Sequence, residues 1–162
     1  MYLNCHTYYS FKYGTMSPKE LLCEVEKKAP LAHGFNREAN NPGLLALTDI
    51  NSTSGCLYHA LGCQEADLPV VMGVDFRAEN QQKFIALAID NLGFQNINFY
   101  LSDVLARRNT PAGVFLQDPI IKNACIIYPF KNAPSRKLRD NEYIGINHTE
   151  LFGFQKVQGD LP

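Results

Sequence analysis

Leu44-Leu45-Ala46-Leu47-Thr48-Asp49 is an apolar run of strand length that stops at a carboxylate. A strand covered on both faces reads as such a run, so the stretch predicts a buried parallel strand over 44–48, with a loop beginning at Asp49. The same grammar recurs over 68–74, a third strand that closes at Asp75. Between the two, Ser52-Thr53-Ser54 can cap a helix through Leu57, Ala60 and Leu61. Toward the N-terminus, residues 2–6 read as a short strand and 11–15 as a loop. A helix then opens at Ser17-Pro18-Lys19-Glu20, where a capping serine, a proline at the first helical position and a glutamate at the third form a capping box. Asn40-Asn41-Pro42-Gly43 marks a turn within a polar loop over 34–43. Toward the C-terminus, a fourth strand is expected over 83–89. A helix starting at Asn91 should carry Phe94, Ile97, Tyr100, Leu101 and Leu105 at spacings of three and four. A short helix within 111–122, a fifth strand over 124–128 and a sixth over 142–146 complete the pattern, and 151–162 is a tail without one.

Strands alternating with helices predict an α/β fold built on a parallel sheet or barrel, whose chemistry collects at the carboxyl ends of strands. His6, Asp49 and Asp75 each fall at such an end and form the candidate metal-ligand set. Asn4 and His6, two residues apart on a strand, share a face. Two imidazoles at that spacing would clamp a divalent metal, but an amide oxygen is a poor substitute for one.

Composition narrows the classes. The 162 residues, 46% of them hydrophobic, suffice for one domain. Fifteen basic and sixteen acidic side chains leave a net charge of -1, so no global attraction to nucleic acid or an anionic membrane is available. The basic stretch 131–139 is followed at once by Asp140 and Glu142 and reads as a solvated loop. Five scattered cysteines without C-x-x-C disfavour a disulfide framework or a cysteine zinc site and suit a reducing cytoplasm. No apolar run approaches the roughly 20 residues of a membrane span. There is no G-x-S-x-G elbow, Walker loop or G-x-G-x-x-G. His33, His59 and His148 read as surface or internally satisfied histidines, and Tyr8, Tyr9 and Tyr13 as packing beside the first strand end.

Three segments, Leu3-Asn-Cys-His-Thr-Tyr-Tyr-Ser10, Leu45-Ala-Leu-Thr-Asp-Ile-Asn51 and Pro69-Val-Val-Met-Gly-Val-Asp-Phe76, resemble in order and spacing the opening motifs of the polymerase-and-histidinol-phosphatase (PHP) domain. The version at the N-terminus of bacterial DNA polymerase III alpha subunits is the most similar, and the likeness runs on through Phe84-Ile-Ala-Leu-Ala-Ile-Asp-Asn-Leu-Gly-Phe94 and, more faintly, Tyr143-Ile-Gly-Ile. The resemblance covers roughly residues 1–150. It implies a partial, distorted (β/α)7 barrel of the PHP type, which in active members carries up to three metal ions at its rim for phosphoester hydrolysis or proofreading. This sequence departs from the motifs: Asn4 stands for the first histidine, Ile50 for the histidine of the second motif, Asp75 for a glutamate, and Lys83-Phe84 for the segment that should bring another histidine. Later motifs have no counterpart before Pro162. The 1–150 domain should therefore stop short of barrel closure, either as part of a longer polymerase subunit or as a shortened relative that oligomerises through an open sheet edge.

The resemblance thus implies a degenerate, non-catalytic PHP domain with a structural role in a replicative polymerase subunit, the nucleotidyltransferase centre lying elsewhere. The alternative is a stand-alone metal-dependent phosphoesterase with a reduced site, and a third reading is a nucleotide or phosphate binder. His6, Asp49 and Asp75 would be a remnant able to hold at most one weakly bound Mg, Mn or Zn ion, with no resident cofactor. Expected partners are the remainder of the alpha subunit and the proofreading exonuclease subunit, with no nucleic-acid or membrane contact and a cytoplasmic location.

Overall fold

The computed structural model describes residues 2–28, 45–107, 118–147 and 149–150. Six strands, β1 (Tyr2–Cys5), β2 (Leu45–Leu47), β3 (Val71–Ala78), β4 (Gln81–Ala88), β5 (Ala124–Pro129) and β6 (Glu142–Gly145), pair in sequence order into one curled sheet. Among the described residues three α-helices accompany it: α1 (Pro18–Lys28), α2 (Cys56–Glu65) and α3 (Asn91–Arg107). The expected short helix within 111–122 and the tail lie largely or wholly outside the described residues, as do His33 and His148.

The fold is mixed α/β, which corrects the all-parallel expectation. β1, β2 and β3 are parallel, as are β5 and β6, but β4 runs antiparallel to both of its neighbours. The reason is length. Only Glu79 and Asn80 separate β3 from β4, whereas a parallel pair needs a crossover of about a dozen residues or more. The third strand was expected over 68–74 with Asp75 at its end. It starts later and continues to Ala78, so Asp75 sits inside the strand, and its flanks Val74 and Phe76 are fully buried.

Local signals predict α1 correctly. The Glu20 N–H donates to Ser17 Oγ at 3.2 Å while Glu20 Oε2 accepts from the Ser17 N–H at 2.7 Å, the reciprocal pair of a capping box. α2 begins later than expected. Gly55 is its N-cap, and Ser52 and Ser54 bond to each other instead of capping. α3 packs on β3, β4 and β5 through Ile97, Leu101 and Val104, while Leu105 points outward. The inward stripe follows a step of i, i+4, i+7 from Ile97, which leaves Leu105 about 40° beyond its edge, on the flank that meets solvent.

The main core lies between α3 and the sheet: Val74, Phe76, Phe84, Ala86, Ile126 and Tyr128 face the helix, and Phe76 stacks on Phe84 with ring centres 4.7 Å apart. On the other face of the sheet Ala46, Ile85 and Leu87 form a smaller cluster. Alternation along β3 places Asp75 and Arg77 on that second face. In the β3–β4 ladder Phe76 pairs with Phe84 and Arg77 with Gln82, leaving Lys83 as an extra residue in a bulge.

Candidate functional site

The carboxyl ends of β1 and β2 and the middle of β3 meet at one rim. After β2, Asp49 and Asp75 are joined through backbone, the Asp75 N–H donating to the Asp49 carbonyl at 3.2 Å and the Asn51 N–H to the Asp75 carbonyl at 3.0 Å. Their side chains enter two separate networks.

The first belongs to Asp49, which is fully buried. Its Oδ1 accepts from the Thr7 N–H at 2.7 Å and Ser10 Oγ–H at 2.6 Å, and its Oδ2 from Thr7 Oγ1–H at 2.7 Å. Ser10 Oγ in turn accepts the Ile50 N–H at 2.9 Å. Position 50 thus serves the rim through backbone alone. A Cβ on Gly55 would stand 2.7 Å from Asp49 Oδ2, so only a glycine lets the carboxylate sit against the start of α2. Asn4 serves elsewhere, its Oδ1 accepting from Thr48 Oγ1–H at 2.8 Å.

The second network is built on Asp75, also without solvent exposure. His6 Nε2 lies 3.1 Å from Asp75 Oδ2, and the same oxygen accepts from Arg77 Nε–H at 3.0 Å and Nη2–H at 2.8 Å. The guanidinium lies over the Tyr13 ring at 4.6 Å, and Tyr13 presents an edge-on contact to His6. Asn51 fixes the arginine's backbone: its Oδ1 accepts the Arg77 N–H at 3.0 Å and its Nδ2–H donates to the Arg77 carbonyl at 2.9 Å. Burial is the largest influence on Asp75 and pushes its pKa up. The hydrogen bonds from His6 and Arg77, with the nearby Gln82 amide and the arginine's charge, outweigh it and hold the carboxyl below the usual carboxylate range. Asp75 Oδ1 and Gln82 Nε2 are nonetheless buried without a hydrogen-bond partner.

Of the three sequence-predicted ligands, His6 and Asp75 come into contact, and no hydrogen bond joins the Asp49 carboxylate to either. Among the described residues, no group of three or more His, Cys, Asp or Glu side chains is arranged to hold a metal ion. Sequence reasoning missed Arg77 and Asn51. The signal for Arg77 was present, since residues two apart on a strand share a face and Asp75 would meet whatever stood at 77.

No family model matches the sequence, and no curated protein is significantly similar to it. Solved structures similar in fold include a protein proposed to be a metal-dependent phosphoesterase from Bifidobacterium adolescentis, at 23% identity and a TM-score of 0.43 over 65% of this chain and 33% of the other. An amidohydrolase from Chromobacterium violaceum, with bound sulfate and no metal, aligns at 24% identity and a TM-score of 0.42 over 66% of this chain and 34% of the other. The chain spans about a third of the length of these structures.

Two thiols, Cys5 and Cys56, are shielded. Burial, the main influence on both, pushes the Cys5 thiol up to about 11 and Cys56 to about 12, so neither offers a thiolate at neutral pH. His59, expected on a helix face, is fully buried with a ring nitrogen 3.5 Å from Cys63 Sγ. Among the described residues no helix is long and apolar enough to cross a membrane.

Proposed function

We propose that this chain is a PHP-like domain whose rim has exchanged metal ligation for an internal ion pair, and that its role is structural, in a subunit of the DNA polymerase III alpha type. The observation that carries the reading is the double hydrogen bond from Arg77 to Asp75 Oδ2. A carboxylate that faces a metal cluster must keep its oxygen free for the ion. Here that oxygen already carries a permanent cation fixed by Asn51 and Tyr13, and a guanidinium is never deprotonated at physiological pH. The donor set fits a catalytic cluster poorly. Hydrolysis of a phosphoester needs a metal-bound hydroxide with several ligands; an ion at Asp75 Oδ2 would have to expel Arg77, and one at the unpartnered, buried Oδ1 would sit on the same carboxylate as that permanent cation. Asp49 is equally committed, with three donors on its two oxygens.

Calorimetry with Mn and Zn, run beside hydrolysis of a generic chromogenic phosphoester, tests the proposal. The expected result is neither stoichiometric binding nor turnover. Metal binding and hydrolysis that both vanish in His6→Ala would instead establish a phosphoesterase with a reduced site. The polymerase setting is tested separately, by whether the chain copurifies with a polymerase alpha subunit and its exonuclease partner.

A further inference from the structure

A second polar cluster lies on the α3 side of the sheet, away from Asp75. Glu142, at the start of β6, is 4% exposed and takes five hydrogen bonds. Tyr128 Oη–H, Arg136 Nη2–H and Arg139 Nη1–H donate to its Oε1 at 2.9, 2.7 and 2.8 Å, and Arg136 Nη1–H and the Arg139 N–H to its Oε2 at 2.7 Å each. Two guanidinium charges therefore meet one buried carboxylate, leaving one positive charge in excess. Asp118 offsets it. This side chain is half exposed, and its Oδ1 alone accepts from Arg136 Nε, Arg136 Nη2 and Arg139 Nη2. Three N–H groups converge on a single oxygen at the edge of a cavity of about 440 Å³, whose wall also includes Lys83, Tyr128, Asn132, Pro134 and Ser135.

We propose that this cavity is an oxyanion site occupied in the free protein by the chain's own Asp118, and that its ligand is a small organic phosphate monoester. Several features converge on that chemistry. The two arginine forks are held by Glu142, so they keep their positions when Asp118 leaves. A phosphate brings several oxygens to donors that one carboxylate oxygen now serves, and guanidinium forks match phosphate geometry. Lys83, placed on the wall by the β4 bulge, is paired among the described residues with the neutral Gln81 amide, at 3.1 Å, and adds a further positive charge. Ala133 and Pro134, with Tyr128 behind them, supply the apolar part of the wall against which the organic part would rest. An exposed ion pair such as that of Asp118 contributes little to stability and is readily exchanged. The volume lies within the range of small-molecule sites.

Phenyl phosphate, titrated by calorimetry into the full chain, is the probe. Asp118→Asn should bind it about tenfold tighter than the wild type, because removing the internal competitor frees the forks. Lys83→Met in the Asp118→Asn background should lose about tenfold, whereas Lys137→Met, outside the cavity, should change nothing. Benzoate should bind Asp118→Asn more weakly than phenyl phosphate does, and equal binding would overturn the assignment to phosphate. An Asp118→Asn protein that melts like the wild type but gains no affinity, or whose binding ignores Lys83, would reduce the cluster to a structural clamp. Amide chemical shifts of the wild type during the same titration give a check that needs no variant. Perturbations at Lys83, Arg136 and Arg139 support the site, and their absence at saturating millimolar ligand overturns it.

Discussion

Replacing Arg77 with methionine keeps most of the side-chain stem and deletes the charge. Asp75 has no solvent exposure and Arg77 is 13% exposed, so the change leaves a buried carboxylate whose Oδ1 already lacks a partner. Breaking a buried ion pair by removing one member costs about 3–5 kcal/mol. His6 Nε2 remains 3.1 Å from the carboxylate as a hydrogen-bond partner, which places the expectation at the lower end, about 3 kcal/mol. For a chain of this size, 1 kcal/mol moves the melting temperature by roughly 2–4 °C, so Arg77→Met should melt roughly 6–12 °C lower. Urea unfolding should show a lower midpoint at unchanged slope. Asp75→Asn combined with Arg77→Met removes both charges and should recover part of the loss, since an uncompensated buried charge is the main cost. Manganese should stabilise Arg77→Met, whose Asp75 oxygen is free, and leave the wild type unmoved. A loss below about 1 kcal/mol, or a double variant no more stable than the single one, would refute the claim that Arg77 is the rim's resident cation.

Other expectations follow from the same geometry. Hydrogen bonds from Arg136, chief among the influences on Glu142, hold its carboxyl at about 2 against an unfolded value of 4.5. Its contribution is complete above pH 4.5 and is lost as pH falls toward 2, so Glu142→Gln should flatten that part of the stability curve. Burial lowers the His59 pKa below 6.5, only partly opposed by the backbone of Leu45 and Val71 and by the Asp49 charge. Stability from this neutral histidine is full above pH 6.5 and declines as pH falls, and denaturant titrations of His59→Gln should lack that decline. Ser10→Ala strips a donor from Asp49 and an acceptor from the Ile50 N–H, and thermal melts should register about 1–3 kcal/mol. Gly55→Ala drives a methyl to 2.7 Å from Asp49 Oδ2, and chemical denaturation should show a cost of about 1–3 kcal/mol.

What could be read in advance was local. The Ser17–Glu20 box depends on four adjacent residues and forms as the sequence predicts. The run at 44–48 yields a strand whose residues are all buried. The β3–β4 hairpin is not legible from strands read over 68–74 and 83–89, because its two-residue turn exists only once β3 runs on to Ala78 and β4 starts at Gln81. Leu105 fits the α3 period because it follows Leu101 by four residues, and only the position of the sheet selects Val104 in its place.

The sequence by itself determined that an acidic and imidazole-bearing rim forms at the first strand ends, because strand length, capping and alternation are properties of neighbouring residues. Tertiary structure alone decided which partners those side chains keep. Asp49 turns to Thr7 and Ser10, some forty positions away, and Glu142 gathers Arg136 and Arg139 while Asp118 closes the arginines' other side. Hydrogen bonds act over about 3 Å in space and are blind to distance along the chain, so such pairings exist only once the sheet has brought its strands together.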